Sequence, residues 1–152
     1  MRGKALPYTP EEWPEVVEEA IKFLDGLKWL CCATLIVGLP GEEREDVQET
    51  IDLIKRLTRY RALFVPLFFV PMKITSLKKA KMFTAKNMTP ERWELLYLCW
   101  KHNFKQMERL YLMAAGSASP TVKTMVRNLI RIAGQITLLS GKRRLKKQRR
   151  VG

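Results

Sequence analysis

The stretch that most constrains this chain is Ala33-Thr34-Leu35-Ile36-Val37-Gly38-Leu39-Pro40-Gly41-Glu42. A continuous apolar run bounded by Gly and Pro predicts a strand covered on both faces, as in a parallel sheet. Gly38 and Gly41 permit a sharp turn or a close backbone approach. Glu42, Glu43, Glu45 and Asp46 then crowd the first turn of a helix, where carboxylates suit the positive end of the macrodipole. In α/β folds ligands sit at the carboxyl ends of strands, which is where this turn lies.

The flanking segments extend the pattern. Thr9-Pro10-Glu11-Glu12 has the form of a helix start, with Pro14 delaying the regular helix by a few residues. Val17, Ala20, Ile21 and Leu24 form the apolar stripe of that helix, and Asp25-Gly26 ends it. A strand over 30–38, a helix over 43–58 with the stripe Val47, Ile51, Ile54 and Leu57, and a strand over 62–70 make a βαβ unit. Such a unit predicts parallel strands joined by a right-handed crossover. Pro66 places the second strand at a sheet edge or a bulge. Residues 73–87 lack a period and are expected to be loop. Thr89-Pro90-Glu91 opens a third helix lined by Trp93, Leu96, Tyr97, Trp100, Phe104 and Met107. Ser119-Pro120 opens a fourth, with Val122, Met125, Val126, Leu129, Ile132, Ala133 and Ile136 as its apolar face. Two parallel strands make a poor independent core. A first strand buried at both edges therefore reads as the back end of a larger α/β sheet or barrel, with Met1 open to being internal to a longer reading frame.

Length and charge narrow the possibilities. The chain has 152 residues, the size of one domain, and no apolar run long enough to span a bilayer. No signal-peptide layout opens it, so a cytoplasmic location is expected. Net charge is +13. The segment from Lys142 to Arg150 holds seven of the 28 basic residues and no acid; without it, 21 basic residues face 15 acidic ones. Lys142, Arg143, Arg144, Lys146, Lys147, Arg149 and Arg150 form a candidate polyanion-binding tail for RNA, DNA or an anionic membrane surface. The bland alternative is a solubilising tail that suits a helix C-terminus. No aromatic residue interleaves these cations to stack on bases.

The remaining chemistry is sparse. Cys31, Cys32 and Cys99 form no disulfide framework, and adjacent strand residues point to opposite faces, so buried apolar roles are expected. Cys99 and His102 are three apart on one helix, a spacing compatible with metal, but no complete ligand set accompanies them. His102 is expected at the core edge or on the surface. A single His supports no Ser–His–Asp or Cys–His constellation.

Ile36-Val37-Gly38-Leu39-Pro40-Gly41-Glu42, followed by the acidic helix start that reaches Asp46-Val47, resembles a strand and turn of radical S-adenosylmethionine (SAM) enzymes, with Glu43 where Thr is usual. Phe64 to Pro71 resembles their next strand. The segments from Gly3 to Trp13 and from Trp93 to Tyr97 are similar to members that carry a cobalamin-binding domain. The resemblance covers about Gly3 to Phe104. It implies an α/β fold, the C-terminal portion of a partial (β/α)6 TIM-like barrel with two parallel strands and about four helices. Residues 1–88 would end the barrel, with 30–38 as the fifth strand and 62–70 as the sixth; 89–140 would be a helical extension and 141–152 a basic tail. It also implies that Ile36 packs on the adenine of SAM and that Gly38, Leu39, Pro40 and Gly41 shape the adjoining wall. Glu42 and Glu43 at the helix start should repel an anion there and tolerate a sulfonium. The family's Cys-x3-Cys-x2-Cys motif is absent. The 4Fe-4S cluster and cobalamin are therefore expected in a missing part or a partner polypeptide, and the chain alone is expected to be catalytically incompetent and to self-associate. The alternative is a non-catalytic module that binds nucleic acid through its tail.

Overall fold

The computed structural model describes residues 7–148, with the side chains of residues 147 and 148 left aside. The order is α1 (Trp13–Gly26), β1 (Cys31–Val37), α2 (Arg44–Leu57), β2 (Ala62–Phe68), a 3-10 turn (Ala85–Asn87), α3 (Pro90–Ala114) and α4 (Pro120–Gln148). The fold is α/β, with four helices and a two-stranded parallel sheet whose register pairs Cys31 with Ala62 and Val37 with Phe68. Thr9 and Glu12 do cap one another, the Thr9 N–H donating to Glu12 Oε2 at 2.8 Å, but the regular helix starts at Trp13.

One sheet face packs on the helices. Val47, Ile51, Ile54 and Leu57 of α2 are all buried, as their spacing predicts, together with Ala62, Phe64, Leu95, Leu96 and Cys99. Each large apolar side chain among them contributes about 1.5–3 kcal/mol by leaving water. At the other end of the sheet, Asp25 ties the end of α1 to β2 by accepting from Arg61 Nε at 2.8 Å and from the Arg61 backbone N–H at 2.9 Å. Those hydrogen bonds hold the Asp25 carboxyl below its ordinary range.

The two sheet edges differ. The outer edge of β2 is closed by side chains of α3. Asn103 Nδ2 donates to Phe64 O at 2.7 Å, and Asn103 Oδ1 accepts from the Phe64 N–H at 2.9 Å. His102 Nε2 lies 2.9 Å from Ala62 O, and Gln106 Nε2 donates to Tyr60 O at 3.1 Å. Pro66 is in phase with Ala62 and Phe64, so its missing N–H falls on this outer side, where it costs no strand-to-strand bond. His102, expected at the core edge or surface, is buried. It is drawn inward because its ring is the partner of a carbonyl that no strand reaches.

The edge of β1 is open among the described residues. Cys31 N–H donates to Arg61 O and Val37 O accepts from Phe69 N–H, so the odd positions face β2. The backbone groups of Cys32, Thr34 and Ile36 therefore point the other way. Their side chains are exposed, on the same face as exposed Leu67 and half-buried Leu63 and Val65. The apolar run reads as a strand covered on both faces, but within the described residues β1 alternates half-buried and exposed positions. An apolar run records that a strand prefers burial, not that the covering layer is present.

The apolar face of the fourth helix turns outward. Val122, Met125, Leu129, Ile132, Ala133 and Ile136 are exposed, and so is Leu139; Val126 is half-buried. The opposite side of α4 packs on α3, where Gly134 approaches the Phe104 ring and Gly141 lies against Tyr97 and Trp100. A Cβ on Gly134 would sit 3.1 Å from that ring. Arg131 reaches Glu108 at 2.6 Å and Arg144 lies over the Trp93 ring, so α3 and α4 run antiparallel. The close fit of two glycines against aromatic rings fixes which face turns inward.

Two outcomes are expected. Asn103→Ala leaves both Phe64 backbone groups unpaired and should lower unfolding free energy by about 1–3 kcal/mol, whereas Lys105→Ala on the exposed side of α3 should change it little, as read by denaturant titration. Burial holds the His102 pKa below 6.5, outweighing its hydrogen bond to Ala62 O. The unfolded chain then takes up a proton that the folded one refuses, so stability should fall as pH drops below about 6.5. A His102→Gln variant, measured across that window, should lose this part of the pH dependence.

Candidate functional site

Where β1 ends, the backbone turns abruptly. Gly38 has φ +80°, and its missing side chain is replaced by the Phe83 ring; a Cβ there would lie 2.0 Å from Phe83 Cδ2. Leu39-Pro40-Gly41-Glu42 is a tight turn closed by Glu42 N–H donating to Leu39 O at 3.0 Å. Pro at the second position and Gly at the third, with φ +83° at Gly41, match the demands of a type II turn. α2 then begins with a reciprocal cap, in which Glu43 N–H donates to Asp46 Oδ2 at 2.8 Å.

Glu42 does not sit over the helix terminus. Its carboxylate turns back to accept from the Gly38 N–H, at 3.1 Å for Oε2, and pairs with Arg92 Nε at 2.7 Å. Both side chains are nearly buried, 13% and 14% exposed. The Arg92 guanidinium also lies 5.1 Å from the Phe83 ring centre. Thr89 caps α3, its hydroxyl accepting from the Arg92 N–H, which sets Arg92 in the first turn facing this strand end. Arg44 and Glu91 add a second bridge between the starts of α2 and α3, at 2.9 Å.

These elements frame a cleft of about 430 Å³, lined by Gly38, Leu39, Pro40, Ala80, Lys81, Met82, Phe83, Asn87 and Arg92. Its volume falls in the range of small-molecule sites. Gly38, Leu39 and Pro40, expected to form one wall, line it. Gly41 is exposed at the turn and does not, and Ile36 lies outside on the open sheet face, with its neighbour Val37 buried on the other side. The opposite wall, residues 80–83, comes from the stretch expected to be loop. Arg92 joins the site across 50 residues of sequence, and no local pattern signals that pairing.

The electrostatics reverse one expectation. Glu43 serves its own helix cap and Glu42 is neutralised by Arg92, so neither presents free negative charge to the cleft. Of its two charged lining residues, Arg92 is balanced by Glu42, and Lys81 supplies the remaining positive charge. The cleft suits a ligand with an anionic group. A ligand's sulfonium or ammonium would find its counter-charge outside these residues.

The cysteines do not suit an iron–sulfur cluster. Cys31 is half-buried and Cys32 exposed on opposite faces of β1, and Cys99 is buried on α3. Burial raises the Cys31 thiol above its usual range and pushes Cys99 up to about 12, away from the thiolate that a metal needs. Among the described residues no three His, Cys, Asp or Glu converge as a metal site. No described helix is long and apolar enough to cross a membrane.

The basic residues at the C-terminus are helical where described, since α4 runs to Gln148. Lys142, Arg143, Arg144 and Lys146 are exposed, although Arg144 is engaged over Trp93. The side chain of Lys147 and all of Arg149 and Arg150 lie outside the described residues.

The site is thus an α/β strand-end cleft built on a Gly-Leu-Pro-Gly turn. Over 84 residues, 55% of its length, the chain is 33% identical to a tRNA-2-methylthio-N(6)-dimethylallyladenosine synthase of Clostridioides difficile (strain 630). That partial match supports a radical SAM relationship and nothing finer. The chain spans about a sixth of that relative's length, 16%. No family model and no solved structure matches the chain.

Gly38→Ala should be severely destabilising, because the backbone conformation disfavours a side chain and Phe83 occupies its space; a fall in melting temperature is the expected reading. Arg92→Met, which strands the Glu42 carboxylate in a nearly buried position, should cost about 3–5 kcal/mol by denaturant titration, and the double variant Glu42→Gln/Arg92→Met should recover part of it.

Proposed function

We propose that this chain is the closing part of a radical SAM-type barrel, works beside a cluster-bearing half, and lends it one wall of the SAM site. The observation that carries this reading is the asymmetry of the sheet. The β2 edge is sealed by Asn103, His102 and Gln106, whereas among the described residues β1 leaves a free edge beside an exposed face that includes Ile36 and Leu67. A strand added next to β1 would pair Cys32, Thr34 and Ile36 and cover that face. The partial similarity to the methylthio-adenosine synthase points the same way.

In this reading Gly38, Leu39 and Pro40 form the wall, and Ile36 meets the adenine only once a neighbouring strand completes the inner face. Lys81 is placed to hold an anionic group such as the ligand's carboxylate, while Arg92, paired with Glu42, shapes the wall beside it. The 4Fe-4S cluster, and cobalamin where one is used, belong to the other half, since the cysteines here do not suit a cluster. When bound there, the cluster would supply the electron that cleaves SAM. This chain's residues would bind, orient and exclude water. It is non-catalytic by itself.

Light scattering on the full chain should show self-association through the open edge, reduced by Thr34→Lys and Ile36→Lys. A monomer at all concentrations would remove the argument from the edge. Calorimetric titration of SAM should show binding that Leu39→Asp abolishes and that strengthens when the cluster-bearing half is added. No binding in either setting would refute the SAM wall.

A further inference from the structure

Between β2 and α3 the chain makes a loop that the cleft only partly uses. Its base is tied: Phe69 N–H donates to Val37 O and Phe83 N–H to Phe69 O, both at 3.0 Å. Within it, successive turns are closed by Thr75 N–H on Met72 O at 3.1 Å, Lys78 N–H on Thr75 O at 3.2 Å and Ala80 N–H on Leu77 O at 2.9 Å. The first of these turns puts Ile74 at its apex, 93% exposed. Val70, Met72, Leu77 and Met82 are exposed as well. A loop with no further role would be polar at such positions.

The same loop and its continuation into the 3-10 turn carry Lys73, Lys78, Lys79, Lys81 and Lys86, all exposed. No Asp or Glu occurs in the chain between Asp52 and Glu91, so no carboxylate of this stretch balances them.

We propose that this loop docks the protein on an anionic lipid surface, with Ile74 and Met72 entering the acyl boundary and the lysines held at the headgroup phosphates. Charge complementarity is joined here to apolar exposure. Cations alone would serve a nucleic acid equally well. Ile, Met, Val and Leu at the surface offer nothing for a base to stack on, and Phe83 is turned inward against Gly38. Aliphatic side chains beside lysines suit the interface between headgroup and acyl chain. Because residues 80–83 also line the cleft, docking would set the mouth of the cleft close to the lipid. The inference is independent of what the cleft binds.

The test uses the full chain with vesicles of phosphatidylcholine, with or without phosphatidylserine. An environment-sensitive dye is attached at Ile74→Cys in a Cys32→Ser background. Binding should require phosphatidylserine and weaken with salt, and the dye emission should shift to the blue on binding. Each lysine near an anionic surface strengthens binding roughly fivefold, so Lys73→Gln/Lys78→Gln/Lys79→Gln should weaken it about a hundredfold. Ile74→Ser should weaken it about tenfold. Binding without a dye shift, or unaffected by these substitutions, would assign the contact to the C-terminal cations and overturn the proposal. So would tRNA binding that needs the three lysines, ignores Ile74→Ser and is accompanied by no vesicle binding.

Discussion

The structure depends on how the outer edge of β2 is satisfied. A strand edge exposes N–H and C=O groups that need partners when buried. Here α3 acts in place of a third strand, with Asn103 matching both groups of Phe64 while His102 and Gln106 take the carbonyls of Ala62 and Tyr60. These bonds set α3 in register with the sheet as well as against it. At about 1.5 Å per residue, fixing residue 102 places residue 92 about 15 Å further along. That brings Arg92 to the carboxyl end of β1. The position of the cleft follows from the way the sheet is closed, although the two share no residue.

The turn at Gly38 depends on the same anchoring. Phe83 fills the space a side chain at Gly38 would occupy, and Arg92 lies over Phe83 while holding Glu42, whose carboxylate receives the Gly38 N–H. Four residues from three parts of the chain thus define one strand end. A nearly buried ion pair adds little net stability over a well-packed apolar contact, so its value here is positional. It consumes the negative charge that the helix start would otherwise show to a ligand. The positive charge of Lys81 then sets the character of the cleft.

Much of the fold was legible because period and punctuation agreed. The α2 stripe, the Thr89-Pro90 cap, the Ser119-Pro120 break and the two parallel strands were all readable for that reason. Where reading failed, the missing information was the identity of the neighbour. Ile36 is apolar but stands exposed because no covering layer is present among the described residues. The α4 stripe has good helical spacing but faces outward, because Gly134 and Gly141, weak helix formers, allow α3 close approach on the opposite side. His102 looked peripheral because its partner is a backbone carbonyl 40 residues away, invisible in sequence. The cleft was half legible: its turn has a motif, whereas Phe83 and Arg92 acquire their roles only through the fold.

An open strand edge in water is not costly in itself, since solvent satisfies its N–H and C=O groups. What sets β1 apart is that its edge, free among the described residues, adjoins exposed apolar side chains, while the other edge of the same sheet is sealed. A sheet meant to stand alone would be expected to blunt both edges, because an unpaired edge invites association. The outward apolar stripe of α4 adds a second face without a partner among the described residues. The loop carrying Ile74 differs from both, since its apolar residues are mixed with lysines and lie on turns without a regular repeat. A neighbouring strand wants a continuous edge, a packed helix wants a periodic stripe, and a lipid surface accepts an irregular mixture of cation and aliphatic side chain. The three exposed features therefore differ in the partners they fit, and the edge of β1 is the one whose geometry specifies its partner most narrowly.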